Sequence, residues 1–322
     1  MIRYLRRRSA LLVASLIGAM LVIFALLHLL PGDPANALLS AGASPQQIAA
    51  ARAAVGSDQP MWTQLGRWLG GLLHGDLGRS LASGQEVLPE VLRRMSVTVP
   101  MVVIAFVVST VLATVIGYVA AVRHRRWYGI LLSGLSQVGI GIPVFWVALV
   151  LVWIVALRLG WLPSGGYPRE GWSAPGEVLR YLALPVASIV LGGQTAFLIR
   201  YIRSATLDVL GSDFLRTARA LGMSRTAAFW RHGVRNAAVP VIAILGIELG
   251  TTVVGAVIVE AVFSLPGIGA LLTKAILQHD YPSIQGALLA TTFFVLIVGF
   301  AADLTQRLVD PRLRSVAVGS HS

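Results

Sequence analysis

Long uncharged stretches alternate with short arginine-rich stretches along the chain. Uncharged or nearly uncharged runs lie at residues 10–30, 97–122, 130–157, 181–199, 237–259 and 284–302. Each run is close to or above the roughly 20 residues that a helix needs to cross a hydrocarbon core of about 30 Å. Such runs are expected to be helical, because lipid offers an exposed backbone no hydrogen-bond partners. The pattern therefore predicts an all-α integral membrane protein with six transmembrane helices.

The composition supports membrane insertion. Hydrophobic residues make up 56% of the 322 residues and charged residues 12%, whereas about a quarter of a soluble domain is charged. The absence of cysteine excludes disulfides and cysteine-ligated metal centres. The net charge of +12 does not indicate a nucleic-acid partner, because no nucleic-acid-binding motif accompanies it.

The basic residues lie mainly on one side of the predicted membrane. Of the 26 lysines and arginines, 17 fall in the amino-terminal end, the second-to-third connection, the fourth-to-fifth connection and the tail. Because cytoplasmic loops are enriched in Lys and Arg, both termini are predicted to be cytoplasmic. The first run follows a group of arginines, as a secretory signal does, but its 21 uncharged residues exceed the length of a signal core. We therefore expect a retained anchor.

Two polar segments separate the predicted spans. Residues 31–96 form an external segment, which begins with turn-forming residues and contains an amphipathic stretch around Trp62 and Trp68. Residues 204–236 form a cytoplasmic loop. No internal repeat interrupts the order, so residues 1–322 are expected to form one transmembrane domain.

The cytoplasmic loop has the pattern of two short helices joined by a hinge. Phe214, Ala218 and Leu221 recur at helical spacing and predict an apolar stripe. Gly222 follows where a helix C-terminus favours a residue that accepts a positive φ, and Ser224 can cap the next helix. Small residues on the stripe are expected to let another surface approach closely.

This loop resembles the cytoplasmic loop of the permeases of ABC importers. That family carries a Glu-Ala-Ala, three residues, Gly pattern before the penultimate helix. The matching positions in this chain are Arg216, Thr217, Ala218 and Gly222. The glutamate and the first alanine of the family pattern are therefore replaced.

With these replacements the loop is similar to that of the dipeptide and oligopeptide branch, which reads much like RTARALG followed by RHxxRNAxxP. The second part is matched here by His232, Arg235, Asn236 and Pro240. The branch is also resembled by residues 1–34, 72–80, 141–145, 260–269 and 310–314. The resemblance covers nearly the whole chain and is to the first-permease, or B-type, subunit.

The resemblance implies a type I ABC importer permease fold, multi-pass in the bacterial cytoplasmic membrane. A second homologous permease would complete the pathway for di- or oligopeptides, a substrate-binding protein would deliver solute from outside, and ABC ATPase subunits would bind the loop. This chain would hold no metal or cofactor, because ATP and Mg²⁺ belong to the ATPase subunits. The residues implied for ATPase coupling are Phe214, Arg216, Thr217, Ala218, Arg219, Leu221 and Gly222, and those for loop support are His232, Arg235, Asn236 and Pro240. The arginines either contact the ATPase or only set the topology.

Polar and helix-breaking residues in the predicted spans are candidates for the pathway or its gate. Glu248 is the only formal charge near the middle of a span, where it costs at least about 2.5 to 3.5 kcal/mol unless it faces protein or water. It either lines the pathway or bonds to a neighbouring helix. Gln137 and Gln194 suit hydrogen bonds between helices, and Pro143 predicts a kink. The turn after the fifth span is assigned to gate architecture through Glu260, Pro266, Gly267 and Gly269.

Other functions remain as alternatives. The chain has no Gly-x-x-x-x-Gly-Lys-Ser/Thr phosphate loop and no His-Glu-x-x-His zinc helix, so it is not expected to be an enzyme. An importer of the same architecture could carry nickel, metal chelates or glutathione-like solutes. A self-contained secondary transporter would require internal repeats or broken helices and its own ion sites, and a membrane-embedded enzyme would require clustered acids or histidines.

Overall fold

The computed structural model of this protein describes residues 2–29 and 59–309, together with Ser44 and Gln46. In this part of the chain the regular structure is helical, apart from one isolated bridge between Arg79 and Glu86. The all-α prediction is therefore confirmed for the described residues. The predicted turn at residues 31–34 and the motif at residues 310–314 lie outside them.

The α-helices of the described part are defined here in chain order. They are α1 (Ile2–Leu29), α2 (Met61–Leu73), α3 (Val87–Val122), α4 (Trp127–Ile140), α5 (Val144–Leu151), α6 (Pro175–Leu191), α7 (Gly193–Leu210), α8 (Asp213–Ala220), α9 (Arg225–Ala228), α10 (Val234–Val262), α11 (Ile268–Leu277) and α12 (Tyr281–Val309). A π-helix, Val152–Arg158, extends α5, and a second, Phe229–Gly233, joins α9 to α10. A short 3₁₀ turn, Gly171–Ser173, precedes α6.

Four stretches of the described chain are long and apolar enough to cross a membrane as continuous helices. They are Tyr4–Leu29, Val87–Val122, Arg225–Val262 and Tyr281–Val309. Two bent pairs of helices raise this number to six when each pair is counted as one span. By length and composition, the described residues thus contain four to six candidate spans.

The predicted third span is not one continuous helix. Helix α4 ends at Ile140, and Pro143 stands before α5 with an extended backbone (φ −66°, ψ 138°). The two apolar segments meet at an angle of 100°. Because proline lacks an N–H and clashes with the preceding turn, the kink predicted at Pro143 takes the form of a full break.

The predicted fourth span, residues 181–199, is also interrupted. Gly192 has φ −70° and ψ 178° between α6 and α7, which meet at 47°. The extended ψ of this glycine ends one helix and begins the next. The uncharged run alone did not predict this break.

The chain divides into two compact units, each with its own apolar core. The first contains residues 101–263 and parts of both ends of the chain; the second contains residues 7–100 and 264–296. In the first unit, α10 packs against α5, α6 and α7, while α4 packs against α7. Its core includes Ala113, Leu198, Ile199 and Ile202, and the core of the second includes Val87, Val91, Ile268, Leu271 and Ala287.

Candidate functional site

The cytoplasmic loop predicted from the sequence is an ordered helical segment between α7 and α10. Helix α8 begins at Asp213, whose carboxylate lies at the positive end of the helix dipole and 3.2 Å from the Arg216 guanidinium. The segment continues through α9 and the π-helix Phe229–Gly233 before α10 begins. Residues 213–233 are hereafter the docking segment.

The hinge between α8 and α9 follows the local rules of helix ends. Gly222 has a φ of +93°, a region that residues with a Cβ rarely adopt. The hydroxyl of Ser224 accepts a hydrogen bond of 3.2 Å from the Ala227 N–H, which caps α9. Both predictions for this hinge are confirmed.

Replacing Gly222 with alanine is expected to destabilise the docking segment by about 1–2 kcal/mol, the cost of a left-handed conformation for a residue with a Cβ. Thermal unfolding of the purified protein measures the effect. The matched control is Gly211→Ala, because Gly211 has a φ of −85° and the nearest atom to an added Cβ lies at 3.6 Å. Equal unfolding temperatures for the two variants would show that the hinge tolerates a side chain.

One side of the docking segment is buried within the chain itself. Leu215, Ala218, Ala228 and Phe229 belong to one apolar cluster together with Ala237 at the start of α10. Ala218 is only 8% exposed. Ala218 packs against the folded chain and presents little surface to another protein, so its predicted part in ATPase coupling stays a prediction.

The same cluster connects the docking segment to α3 through aromatic rings. The Tyr118 ring lies 5.3 Å from the Phe229 ring and 5.3 Å from the Trp230 ring, measured between centroids. Phe229 is 3% exposed, whereas Trp230 is more than half exposed. We call Tyr118, Phe229 and Trp230 the aromatic joint. It connects a transmembrane helix directly to the docking segment.

The opposite side of the docking segment is exposed. Leu221 is 82% exposed and Phe214 42% exposed, although both are large apolar residues. The predicted apolar stripe is therefore divided: Ala218 faces inward, and its two larger neighbours face outward. The polar coupling candidates are also exposed: Arg216, Thr217 and Arg219. We call Phe214, Arg216, Thr217, Arg219 and Leu221 the docking face.

The predicted support residues lie at the junction of the docking segment with α10. The Arg235 Nε donates a hydrogen bond of 2.6 Å to the Val309 carbonyl at the end of α12. A cation at this position also interacts favourably with the dipole of the helix C-terminus. His232 and Asn236 are exposed, and Pro240 lies inside α10. Of these four residues, Arg235 thus has a definite bonding role.

The polar side chains inside the first unit form a short hydrogen-bonded chain. Gln194 of α7 donates to the hydroxyl of Thr252, which in turn donates to the Glu248 backbone carbonyl at 2.7 Å. Glu248 is 9% exposed, and its carboxylate accepts a hydrogen bond of 3.0 Å from the Thr251 hydroxyl. The helix-to-helix role predicted for Gln194 is confirmed, with Thr252 on α10 as its partner.

Replacing Gln194 with leucine is expected to weaken the contact between α7 and α10 by about 0.6 kcal/mol, the average for a hydrogen bond between membrane helices. A double-mutant cycle with Thr252→Val, followed by thermal unfolding, isolates the pair. The matched control is Gln137→Leu, because Gln137 is exposed and forms no hydrogen bond within the described residues. Purely additive effects of the Gln194 and Thr252 substitutions would show that this hydrogen bond does not stabilise the contact between α7 and α10.

The remaining pathway candidates are dispersed. Gln137 and Pro143 are exposed, so the hydrogen bond between helices predicted for Gln137 is absent from the described part of the chain. In the first unit, Glu260 is fully buried near the end of α10. In the second unit, Gly267 and Gly269 are buried and Pro266 is half-buried, and the neighbouring Ile268 N–H donates to the Thr98 hydroxyl at 2.8 Å.

An exposed apolar and basic face, carried by a segment that is anchored to membrane helices, is suited to binding another protein. Comparisons with known proteins show the family to which the chain belongs. Residues 113–315 match the model of the binding-protein-dependent transport system inner membrane component, and residues 1–102 match its N-terminal membrane component model. The chain belongs to this family of inner membrane transport components. The resemblance to ABC importer permeases is thereby confirmed.

Similar proteins match over nearly their full length. The chain is 35% identical over 335 residues to the dipeptide transport system permease protein of Alkalihalophilus pseudofirmus, covering 98% of this chain and 100% of the relative. It is 33% identical over 338 residues to the protein of the same name from Escherichia coli, covering 98% and 99%. A protein of Brucella abortus, whose name places it in a peptide transport system, is 38% identical over 311 residues, covering 94% and 97%.

Proposed function

We propose that this chain is one of two homologous permeases of an ATP-driven importer for di- or oligopeptides. The observation that carries the substrate class is the full-length similarity to permeases named for dipeptide transport. The family description makes transport dependent on a binding protein. On this proposal the binding protein selects the peptide outside the membrane and delivers it to the pathway between the two permeases.

ATP is hydrolysed by ABC ATPase subunits that bind the docking face, and this chain holds neither ATP nor Mg²⁺. The exposed side chains of Phe214 and Leu221 support this assignment, because removing apolar surface from water favours protein–protein association. Arg216 and Arg219 lie on the same short helix. The complementary ATPase surface is therefore an apolar cleft with an acidic rim.

The proposed mechanism is a rigid-body switch between inward-open and outward-open states. Closure of the ATPase pair on ATP displaces the docking segment, and ligand binding shifts the balance between the two states. The aromatic joint supports transmission to α3, because Tyr118 contacts both aromatic residues of the π-helix. The bond from Arg235 to the α12 carbonyl provides a second route for the movement.

The topology proposed for this function has six spans and cytoplasmic termini. Two of the spans are the bent pairs α4 with α5 and α6 with α7. Glu248 is proposed to line the pathway. Among the described residues, its carboxylate bonds to the side chain of Thr251, one turn along the same helix, and not to a neighbouring helix. Gate functions are proposed for the residues around the helix breaks and the turn after α10: Gln137, Pro143, Glu260, Pro266, Gly267 and Gly269.

Purification of the tagged chain from its native membrane in a mild detergent, followed by mass spectrometry of the accompanying proteins, tests the proposal. We expect a second six-helix permease and an ABC ATPase in stoichiometric amounts. Repeated recovery of the chain alone from several mild detergents would contradict the proposal and favour a self-contained transporter.

A further inference from the structure

The connection between α3 and α4 is a tight turn with a defined backbone. The Arg126 N–H donates to the Arg123 carbonyl at 2.8 Å, and His124 Nδ1 lies 2.9 Å from the Ala121 carbonyl. Gly129 makes the turn possible, because a Cβ at this position would come within 2.1 Å of the Arg123 carbonyl oxygen. The backbone of the turn is therefore fixed by these hydrogen bonds and by the close approach of Gly129 to Arg123.

This turn carries a concentrated positive charge that no ion pair neutralises within the described residues. Arg123, Arg125 and Arg126 are all exposed. Within residues 2–29 and 59–309, none of the three forms an ion pair or a side-chain hydrogen bond. Three uncompensated guanidinium groups within four residues attract a multivalent or closely spaced anion.

The position of the turn identifies the kind of anion. It joins two apolar helices that belong to candidate membrane spans, so it lies at the membrane surface. Trp127 follows the arginines at the start of α4, is 74% exposed and makes an edge contact with Tyr128. Tryptophan at the end of a membrane helix lies at the level of the lipid headgroups.

We propose that Arg123, Arg125, Arg126 and Trp127 form a binding site for the phosphate headgroup of an anionic phospholipid. The guanidinium groups bind the phosphate oxygens, and the indole ring packs beside the glycerol and the upper acyl chain. An exposed tryptophan has no role in binding free phosphate, so a lipid fits the four residues better than a soluble anion. This site depends on the position of the turn at the membrane and not on the transported substrate.

Native mass spectrometry of the purified full-length chain, titrated with phosphatidylglycerol or phosphatidylcholine, tests the site. We expect preferential retention of phosphatidylglycerol, and a decrease of about fivefold in affinity for each arginine changed to glutamine. The triple variant Arg123→Gln, Arg125→Gln, Arg126→Gln should therefore lose the preference, while the triple lysine variant should keep most of it.

The control removes three exposed positive charges elsewhere in the chain: Arg158→Gln, Arg169→Gln and Arg180→Gln. This variant should retain phosphatidylglycerol as the wild type does. Equal retention of phosphatidylglycerol by the wild type and the Arg123, Arg125 and Arg126 variant would overturn the proposal. Displacement of the lipid by millimolar inorganic phosphate would also overturn it, because the turn would then bind a soluble anion. A triple variant that loses the ATPase subunit but keeps its lipid would overturn it as well, because the turn would then bind a protein.

Discussion

Replacing Leu221 with aspartate is expected to uncouple ATP hydrolysis from transport while the chain remains inserted in the membrane. Leu221 is 82% exposed at the end of α8, so the substitution removes little packing within the chain. Docking would bury the new carboxylate in an apolar cleft. Burying an unpaired carboxylate in such a cleft costs at least about 2 kcal/mol, or roughly thirtyfold in affinity. Peptide-stimulated ATP hydrolysis by the reconstituted importer measures the loss.

The matched control for this prediction is Leu277→Asp. Leu277 is 76% exposed, ends α11 and belongs to the second unit. The Leu277→Asp variant should couple ATP hydrolysis to transport as the wild type does. Ala218→Asp is a poor test of docking, because it places a charge in the chain's own apolar cluster. Normal peptide uptake by Leu221→Asp at wild-type expression would refute the assigned docking face.

Replacing Phe229 with alanine is expected to disconnect the docking segment from the membrane helices. Removing a buried aromatic side chain costs about 3–5 kcal/mol, because it leaves a cavity that the surroundings fill only in part. Phe229 is 3% exposed and contacts Tyr118 of α3. The docking face would still bind the ATPase, but its movement would reach α3 less effectively. We expect ATP hydrolysis to continue with fewer peptides imported per ATP.

Tyr118 supplies both a control and a second variant for the aromatic joint. Its hydroxyl is buried without a hydrogen-bond partner within the described residues, so Tyr118→Phe should leave the peptide-to-ATP ratio unchanged. Tyr118→Ala removes the ring itself and should reproduce the effect of Phe229→Ala. A lowered unfolding temperature combined with a wild-type peptide-to-ATP ratio in both alanine variants would limit the joint to a structural role.

The features of the docking segment that could be predicted from sequence are those set by local backbone rules. Gly222 was expected at a helix end and has a φ of +93°. Ser224 was expected to cap α9 and accepts the Ala227 N–H. Pro143 was expected to kink its span and stands at a break of 100°. Each of these outcomes depends on residues within about one helical turn.

Features that depend on distant packing could not be predicted in this way. Helical spacing placed Ala218 on a stripe with Phe214 and Leu221, but it could not show which side faces the chain. The burial of Ala218 follows from a cluster that residues of other helices complete, including Tyr118 more than 90 positions earlier. Gln194 likewise required a partner from another helix, and Thr252 was not identifiable from sequence spacing.

We propose that this chain transports peptides only as part of an ATP-driven complex. Uptake of a labelled dipeptide into proteoliposomes that contain the copurified permeases and ATPase, with the binding protein outside and ATP inside, tests it directly. We expect uptake that stops when ATP, the binding protein or this chain is omitted. Uptake by this chain alone, driven by an ion gradient and unaffected by the removal of ATP, would contradict it.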